Sequence, residues 1–225
     1  MAKTALITIN AEGAEKRFPP AEQAFLRSLA QNADWLIAAD GGALLYLKSG
    51  LLPHLVVGDL DSLSARVANR LKKAGVDIWR FPPEKDDSDL QLALEAAQVR
   101  GAKNILIYGG VSRQFPLRPD HLLINLNLLL WAQSRGLNAK WLLDSKTSLF
   151  AAGEETVIEG ERGDTVSLIP LSEKVEAITL EGFAYPLKNE DLLRESSRGL
   201  SNQLADSRGI IRKGSGRLLA VHIKI

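Results

Sequence analysis

The chain has 225 residues, with 28 Lys and Arg against 27 Asp and Glu, and 45% of it is hydrophobic. The formal charge of +1 gives no electrostatic case for nucleic acid or an acidic membrane surface as partner. Cysteine is absent, which excludes disulfides, thiolate metal centres and cysteine nucleophiles and accords with a reducing cytoplasm.

The opening residues 1–10 carry too short an apolar run for a signal peptide and read as a strand over 5–9. No stretch reaches the roughly 20 apolar residues of a membrane-spanning helix. Phe18-Pro19-Pro20 introduces a helix over 21–31, proline being suited to a first turn. Residues 35–39 form a short buried strand ending in Asp40-Gly41-Gly42, where glycine lets the backbone turn tightly and approach a ligand. A helix over 43–48 stops at Gly50, and a strand over 55–57 runs into Gly58-Asp59-Leu60-Asp61-Ser62. A helix over 63–74, a strand over 76–81 and Pro82-Pro83 follow. Lys85-Asp86-Asp87-Ser88-Asp89 then opens a helix over 90–99. A strand over 104–108 ends in Gly109-Gly110, and Val111 to Leu117 reads as a loop. Asp120 is placed to cap a helix over 121–135, apolar nearly all round and therefore expected to be buried. A strand over 139–143 completes this half. Strands separated by helices imply a mainly parallel sheet covered on both faces.

After residue 145 the pattern changes. Short runs at 148–151, 155–158, 165–169, 177–180, 200–205, 209–212 and 218–223 are separated by glycine, proline and charge. In the last of them Val221, Ile223 and Ile225 alternate with His222 and Lys224. This half reads as antiparallel β, a sandwich or a flattened barrel, the sandwich being expected. The expected organisation is an α/β domain over 1–145 followed by an all-β domain over 146–225.

Two acidic clusters at the carboxyl ends of expected strands mark the candidate site, because ligands bind there in open α/β sheets. An extended chain puts Asp59 and Asp61 on one face, and helical spacing puts Asp86 and Asp89 on one face. Two carboxylates about 5 Å apart repel by roughly 1 kcal/mol in water and about 3 kcal/mol at an effective dielectric of 20. Four in one cleft call for a hard divalent cation, above all Mg²⁺ carrying a nucleotide phosphate. Taken singly, the same residues serve as ordinary helix caps: Asp59 and Asp61 for a helix near Ser62, Asp86 or Ser88 for the next. The four tryptophans fall in strand or helix patterns and read first as core.

Asp40-Gly41-Gly42, Gly58-Asp59-Leu60-Asp61-Ser62, Lys85-Asp86-Asp87-Ser88-Asp89, Arg118-Pro119-Asp120-His121 and Gly199-Leu200-Ser201-Asn202 together resemble the thiamine pyrophosphokinases, over nearly the whole chain. The resemblance implies an α/β catalytic domain, a β-sandwich that binds thiamine and dimerises, and a homodimer with active sites at the interface. It also implies pyrophosphoryl transfer from ATP to thiamine, giving thiamine diphosphate and AMP with Mg²⁺. Carried over by position, Asp59, Asp61, Asp86 and Asp89 surround Mg²⁺ and the reacting hydroxyl, with Asp61 or Asp89 as the base. Asp40, Gly41 and Gly42 shape the nucleotide cleft, Arg118, Asp120 and His121 lie near the nucleotide, and Ser201 and Asn202 line the thiamine pocket. Two departures stand out. Val111 to Leu117 separates Gly109-Gly110 from Arg118, so that Arg113 or Arg118 can face phosphate, and Ala11-Glu12-Gly13 follows Asn10 where the family often has glycine directly. The alternatives are a related pyrophosphokinase acting on another hydroxymethyl heterocycle such as a pterin, and a nucleotide-binding regulator without catalysis.

Overall fold

The computed structural model describes residues 2–10, 18–84, 86–111 and 118–225. Two compact units divide the chain, one ending at Ser145 and one starting at Lys146.

The first unit runs β1 (Lys3–Ile9), α1 (Pro20–Gln31), β2 (Trp35–Ala39), a 3-10 turn (Asp40–Gly42), α2 (Ala43–Lys48), β3 (Leu55–Gly58), α3 (Ala65–Lys73), β4 (Asp77–Arg80), α4 (Asp89–Val99), β5 (Ala102–Gly109), α5 (Pro119–Ser134) and β6 (Asn138–Leu142). Its strands lie in the order β6-β5-β1-β2-β3-β4, all parallel. The chain starts at β1, builds outward to β4, then crosses back to place β5 on the other side of β1. That reversal, between the ends of β1 and β5, is where α/β sheets open a crevice for ligands. β2 and β3 are almost wholly buried, as apolar strands covered on both faces must be.

Local chemistry sets the helix starts. Pro20 at the first turn of α1 and Pro119 at that of α5 have no N–H to leave unsatisfied. Ser64 Oγ accepts from Val67 N–H at 3.4 Å to cap α3, and Ser88 Oγ accepts from Gln91 N–H at 3.3 Å to cap α4. The aspartates therefore do not cap these helices. Asp120 does not cap α5 either, because Pro119 starts the helix one residue earlier and Asp120 falls in its first turn. α4 is the buried helix, with Leu90, Leu92, Ala93, Leu94, Ala96 and Ala97 inside. α5 corrects expectation: its C-terminal half is buried through Leu128, Leu129, Leu130 and Ala132, while Leu123 and Ile124 are exposed at 62% and 52%. Of the tryptophans only Trp141 is true core, its indole N–H donating to Gly109 O at 2.9 Å. Trp35 and Trp131 lie under arginine guanidinium groups, of Arg100 and Arg135, at 4.4 and 4.0 Å.

The second unit contains β7 (Thr147–Ala152), β8 (Glu155–Glu159), β9 (Thr165–Pro170), β10 (Lys174–Glu181), β11 (Glu190–Leu193), β12 (Asn202–Gln203), β13 (Arg208–Arg212) and β14 (Leu218–Ile223). They form two antiparallel layers, β12-β9-β14-β7 and β11-β10-β13-β8. Ile158, Leu168, Ile178, Leu180, Ile211 and Leu218 meet in one core, the interior of a sandwich. β9 alternates half-buried and buried residues without a break. β14 buries its first three residues, and only its end alternates, in the opposite sense to its hydrophobicity: His222 is buried and Ile223 exposed. The cause is Asp164, whose Oδ2 lies 2.8 Å from His222 Nε2. β11 is a strand that composition hides, since Glu190-Asp191-Leu192-Leu193 carries one buried side chain.

Candidate active site

Three carboxylates converge at the carboxyl ends of the first unit's strands. One oxygen each of Asp40, Asp59 and Asp89 lies within 4.8 Å of the others. Asp40 follows β2, Asp59 follows β3, and Asp89 starts α4. Because Ala39 pairs with Val57 in the parallel register, the residues just beyond them are brought side by side. α4 packs over β2 and β3 and carries Asp89 to the same point.

The backbone there is unusual in two ways. Asp40 adopts φ +42° and Leu60 φ +69°, a region that non-glycine residues enter only when their surroundings hold them there. Gly58, at φ +144°, separates the first and third carboxylates: a Cβ on it would meet both Asp40 Cβ and Asp89 Oδ1 at 3.0 Å. The gap is therefore kept open by a missing side chain.

Asp40 is 6% exposed, and among the described residues its Oδ1 has no hydrogen-bond partner. A buried carboxylate oxygen without a donor is costly unless a cation completes it. Three carboxylates this close repel one another by about 3 kcal/mol per pair at an effective dielectric of 20. Hard oxygen donors of this kind, drawn from three separate elements, suit Mg²⁺ far better than a soft metal. The residues present thus fit the ion that the sequence called for.

The two acidic pairs do not come together as pairs. The strand ends at Gly58, and the left-handed turn at Leu60 breaks the extended alternation, so Asp61 points to solvent. Its N–H donates to Asp59 Oδ1 at 3.1 Å, and its own Oδ1 accepts from Ser62 Oγ at 3.1 Å. Asp61 thereby orients Asp59 without joining the three. Asp86 lies ahead of the Ser88 cap, outside the helix, so helical spacing does not link it to Asp89; it is exposed. Asp87 instead accepts from Gln91 Nε2 at 2.5 Å. Gly41 sits close to Ser62 and Asn10, and Gly42 presses on β1.

Arg118 and Asp120 are exposed and joined in a two-point ion pair, Nε to Oδ1 at 3.1 Å and Nη2 to Oδ2 at 2.7 Å. The guanidinium beside it holds the Asp120 carboxyl down at about 2. His121 is exposed on α5. Arg113, Lys85 and the segments 11–17 and 112–117 lie outside the described residues.

In the second unit, Ser201 is exposed with φ +56°, its N–H donating to Ser167 Oγ at 3.0 Å. Asn202 is buried, and its amide is occupied. Nδ2 donates to Tyr185 O at 2.7 Å, while Oδ1 accepts from Tyr185 N–H at 3.0 Å and Gln203 N–H at 2.8 Å. The residue that this clamp presents is Tyr185, which is 68% exposed. Sequence reasoning did not single out Tyr185; an aromatic among turn residues, before Pro186, was the available signal.

Comparison with known proteins follows the two-unit division. The model for "Thiamin pyrophosphokinase, catalytic domain" matches residues 26–141, and that for "Thiamin pyrophosphokinase, vitamin B1 binding domain" matches residues 155–218. Thiamine pyrophosphokinase of Bacillus subtilis is 32% identical over 187 residues, covering 82% of this chain and 85% of that protein. The chain belongs to the thiamin pyrophosphokinase family. The crystal structure of the Bacillus subtilis enzyme superposes with a TM-score of 0.81 at 28% identity, covering 99% of this chain and 100% of that one. A thiamin pyrophosphokinase family protein from Enterococcus faecalis gives 0.78 at 26% identity, with full coverage of both chains. Yeast thiamin pyrophosphokinase shares the fold, with a TM-score of 0.75 at 18% identity, covering 99% of this chain and 86% of that one. The expected fold class, an α/β unit with a mainly parallel sheet followed by a β-sandwich, is that of the family's solved structures.

Proposed function

We propose that this protein is a thiamine pyrophosphokinase, transferring the pyrophosphoryl group of ATP to the hydroxyl of thiamine to give thiamine diphosphate and AMP. The observation that carries the proposal is the convergence of Asp40, Asp59 and Asp89 in a chain of this family. In the reaction the thiamine hydroxyl oxygen attacks the β-phosphorus, the bond from that phosphorus to the α-phosphate oxygen breaks, and AMP leaves. Such transfers depend on positioning and charge neutralisation more than on covalent help. Asp40, Asp59 and Asp89 would hold Mg²⁺, which when bound supplies the positive charge that offsets the triphosphate.

The remaining roles belong to the chain's own groups. Asp61, outside the three carboxylates and not engaged with the metal in this reading, is the carboxylate assigned to take the hydroxyl proton as the new bond forms, with Asp89 as the alternative. Asp86, exposed on the same acidic segment as Asp89, adds negative charge near the nucleotide's metal-bound end. Arg118 presents a planar fork now matched to a carboxylate, and a phosphate takes the same two-point pairing when it replaces Asp120. His121, in the first turn of α5, adds a further donor there. Ser201 offers its hydroxyl to thiamine, while Asn202 is spent on fixing the backbone of Tyr185. The exposed phenol ring so fixed is suited to lie against a flat heterocycle.

The homodimer and the cytoplasmic setting belong to this reading as well. Leu123 and Ile124 leave apolar surface on α5 for a second copy to cover. No helix among the described residues is long and apolar enough to cross a membrane.

AMP release from ATP, measured with thiamine and separately with a hydroxymethylpterin, tests the proposal. AMP formed with thiamine alone, lost in Asp59→Asn and Asp89→Asn proteins of unchanged circular dichroism, is the expected result. Turnover of the pterin in preference to thiamine, or no AMP with either, overturns it.

A further inference from the structure

We infer that Thr8 is a positioning residue that sets the metal affinity of the acidic cluster by fixing the turn that carries Asp40. This rests on the reading of Asp40, Asp59 and Asp89 as a metal site.

Thr8 lies in β1, the strand beside β2, and is fully buried. Its hydroxyl donates to the Gly42 carbonyl at 2.9 Å. That carbonyl belongs to the 3-10 turn Asp40–Gly42, so the bond reaches from the middle of the sheet to the segment that holds the first carboxylate. The same turn is pressed on the same residue from a second direction: a Cβ on Gly42 would lie 2.1 Å from the Thr8 carbonyl oxygen. The turn is buried, and its own backbone bonds are local, Ala43 N–H donating to the Asp40 and Gly41 carbonyls. Asp40 sits at φ +42°, Ala39 ahead of it makes no side-chain cap, and α2 behind it is only six residues long. A strained turn persists where its surroundings over-determine it, and here a buried hydroxyl does so. Valine in place of Thr8 keeps the shape of the side chain and removes its hydroxyl, which besides donating to Gly42 is a hydrogen-bond partner of the buried Tyr46 phenol of α2. The Gly42 carbonyl then loses its partner, the turn relaxes, and the Asp40 carboxylate moves relative to the other two.

Groups that orient metal ligands without touching the metal commonly change metal affinity by about 10-fold to 100-fold when removed. The test is Mn²⁺ binding, followed by electron paramagnetic resonance in the presence of a non-hydrolysable ATP analogue. The proteins compared are wild type, Asp59→Asn, Thr8→Val, Thr8→Ser and Ile105→Val. Ile105 is buried in β5 and pairs with Ala5, not Thr8, so its variant measures what simple loss of core packing does. The expected result is a Kd for Mn²⁺ raised about tenfold in Thr8→Val, restored in Thr8→Ser, and unmoved in Ile105→Val even where its Tm falls as far. The Mg²⁺ concentration for half-maximal rate should shift in parallel, with kcat at saturating Mg²⁺ held. Wild-type affinity in Thr8→Val, or equal weakening in Ile105→Val, overturns the positioning role. Equal Mn²⁺ binding by wild type and Asp59→Asn instead overturns the metal site itself, so the two failures are distinguishable.

Discussion

Asp40 and Asp164 are both aspartates buried beside a strand end, one in each unit, and they are treated in opposite ways. Asp164 is satisfied on both oxygens: Oδ2 takes Glu161 N–H at 3.0 Å and faces His222 Nε2 at 2.8 Å, and Oδ1 takes Ile225 N–H at 3.1 Å. Asp40 is left with an oxygen that no donor reaches among the described residues, and two further carboxylates are brought up against it. A satisfied buried charge fixes a fold, here by tying β14 and the last residue to the start of β9. An unsatisfied one, crowded by like charge, lowers stability and is kept where a ligand completes it. The contrast tells structure from chemistry without reference to residue type, which is the same in both places.

The comparison breaks most visibly on activity. Asp40→Asn, Asp59→Asn and Asp89→Asn should each lower kcat by on the order of 10³-fold, while Tm holds or rises because repulsion is relieved. A fall in Tm with activity retained would put Asp40 in the same class as Asp164. Asp164→Asn should do the reverse. It leaves a buried histidine without its carboxylate, and urea unfolding should show a loss of about 3 kcal/mol, with kcat per folded molecule unchanged.

Gly58→Ala sharpens the contrast from the backbone side. The methyl group enters at φ +144° between Asp40 and Asp89, so a loss of about 1–3 kcal/mol is expected, together with a weakened Mg²⁺ dependence of the rate. Loss of stability alone would mean that the gap between the carboxylates has no part in metal binding.

Acid tests the Asp164 side of the contrast. Burial acts to raise the Asp164 carboxyl, but the hydrogen bonds from Glu161, His222 and Ile225 outweigh it and hold it below its ordinary value of 3.8. A carboxyl depressed in the folded state contributes its stability above the unfolded value and loses it as pH falls through the folded one. The stability gap between wild type and Asp164→Asn should therefore be full at pH 7 and close as pH falls below about 4. A gap that stays constant down to acid unfolding would remove the charge from the explanation.

The smallest effect belongs to the second unit's exposed ring. Tyr185→Ala should raise the KM for thiamine about tenfold with kcat nearly held, and Tyr185→Phe should restore it, as loss of a stacking face predicts. Equal KM in all three would leave the ring without a part in substrate binding.

Much of the architecture was legible along the chain. Short apolar runs bounded by turn residues located β2, β3 and β14 to within a residue, because strand burial leaves a local signature. Failures came where side-chain pairing overrode pattern. His222 reversed the burial at the end of β14 by pairing with Asp164, and β11 carried too few apolar residues to be seen. Asn202 shows the limit at the site. The segment around it was readable, but not that its amide would be consumed by the Tyr185 backbone.

The acidic motifs divide along the same line. Residue order alone was enough to place aspartates at the carboxyl ends of strands, since hydrophobic periodicity and turn glycines are properties of neighbouring residues. Which aspartates meet was decided only in three dimensions. Parallel pairing of β2 with β3 set Asp40 beside Gly58 and Asp59, the packing of α4 brought in Asp89, and the left-handed Leu60 turned Asp61 away. Each depends on contacts between segments far apart in the chain, or on a single backbone angle, and neither is written in local spacing.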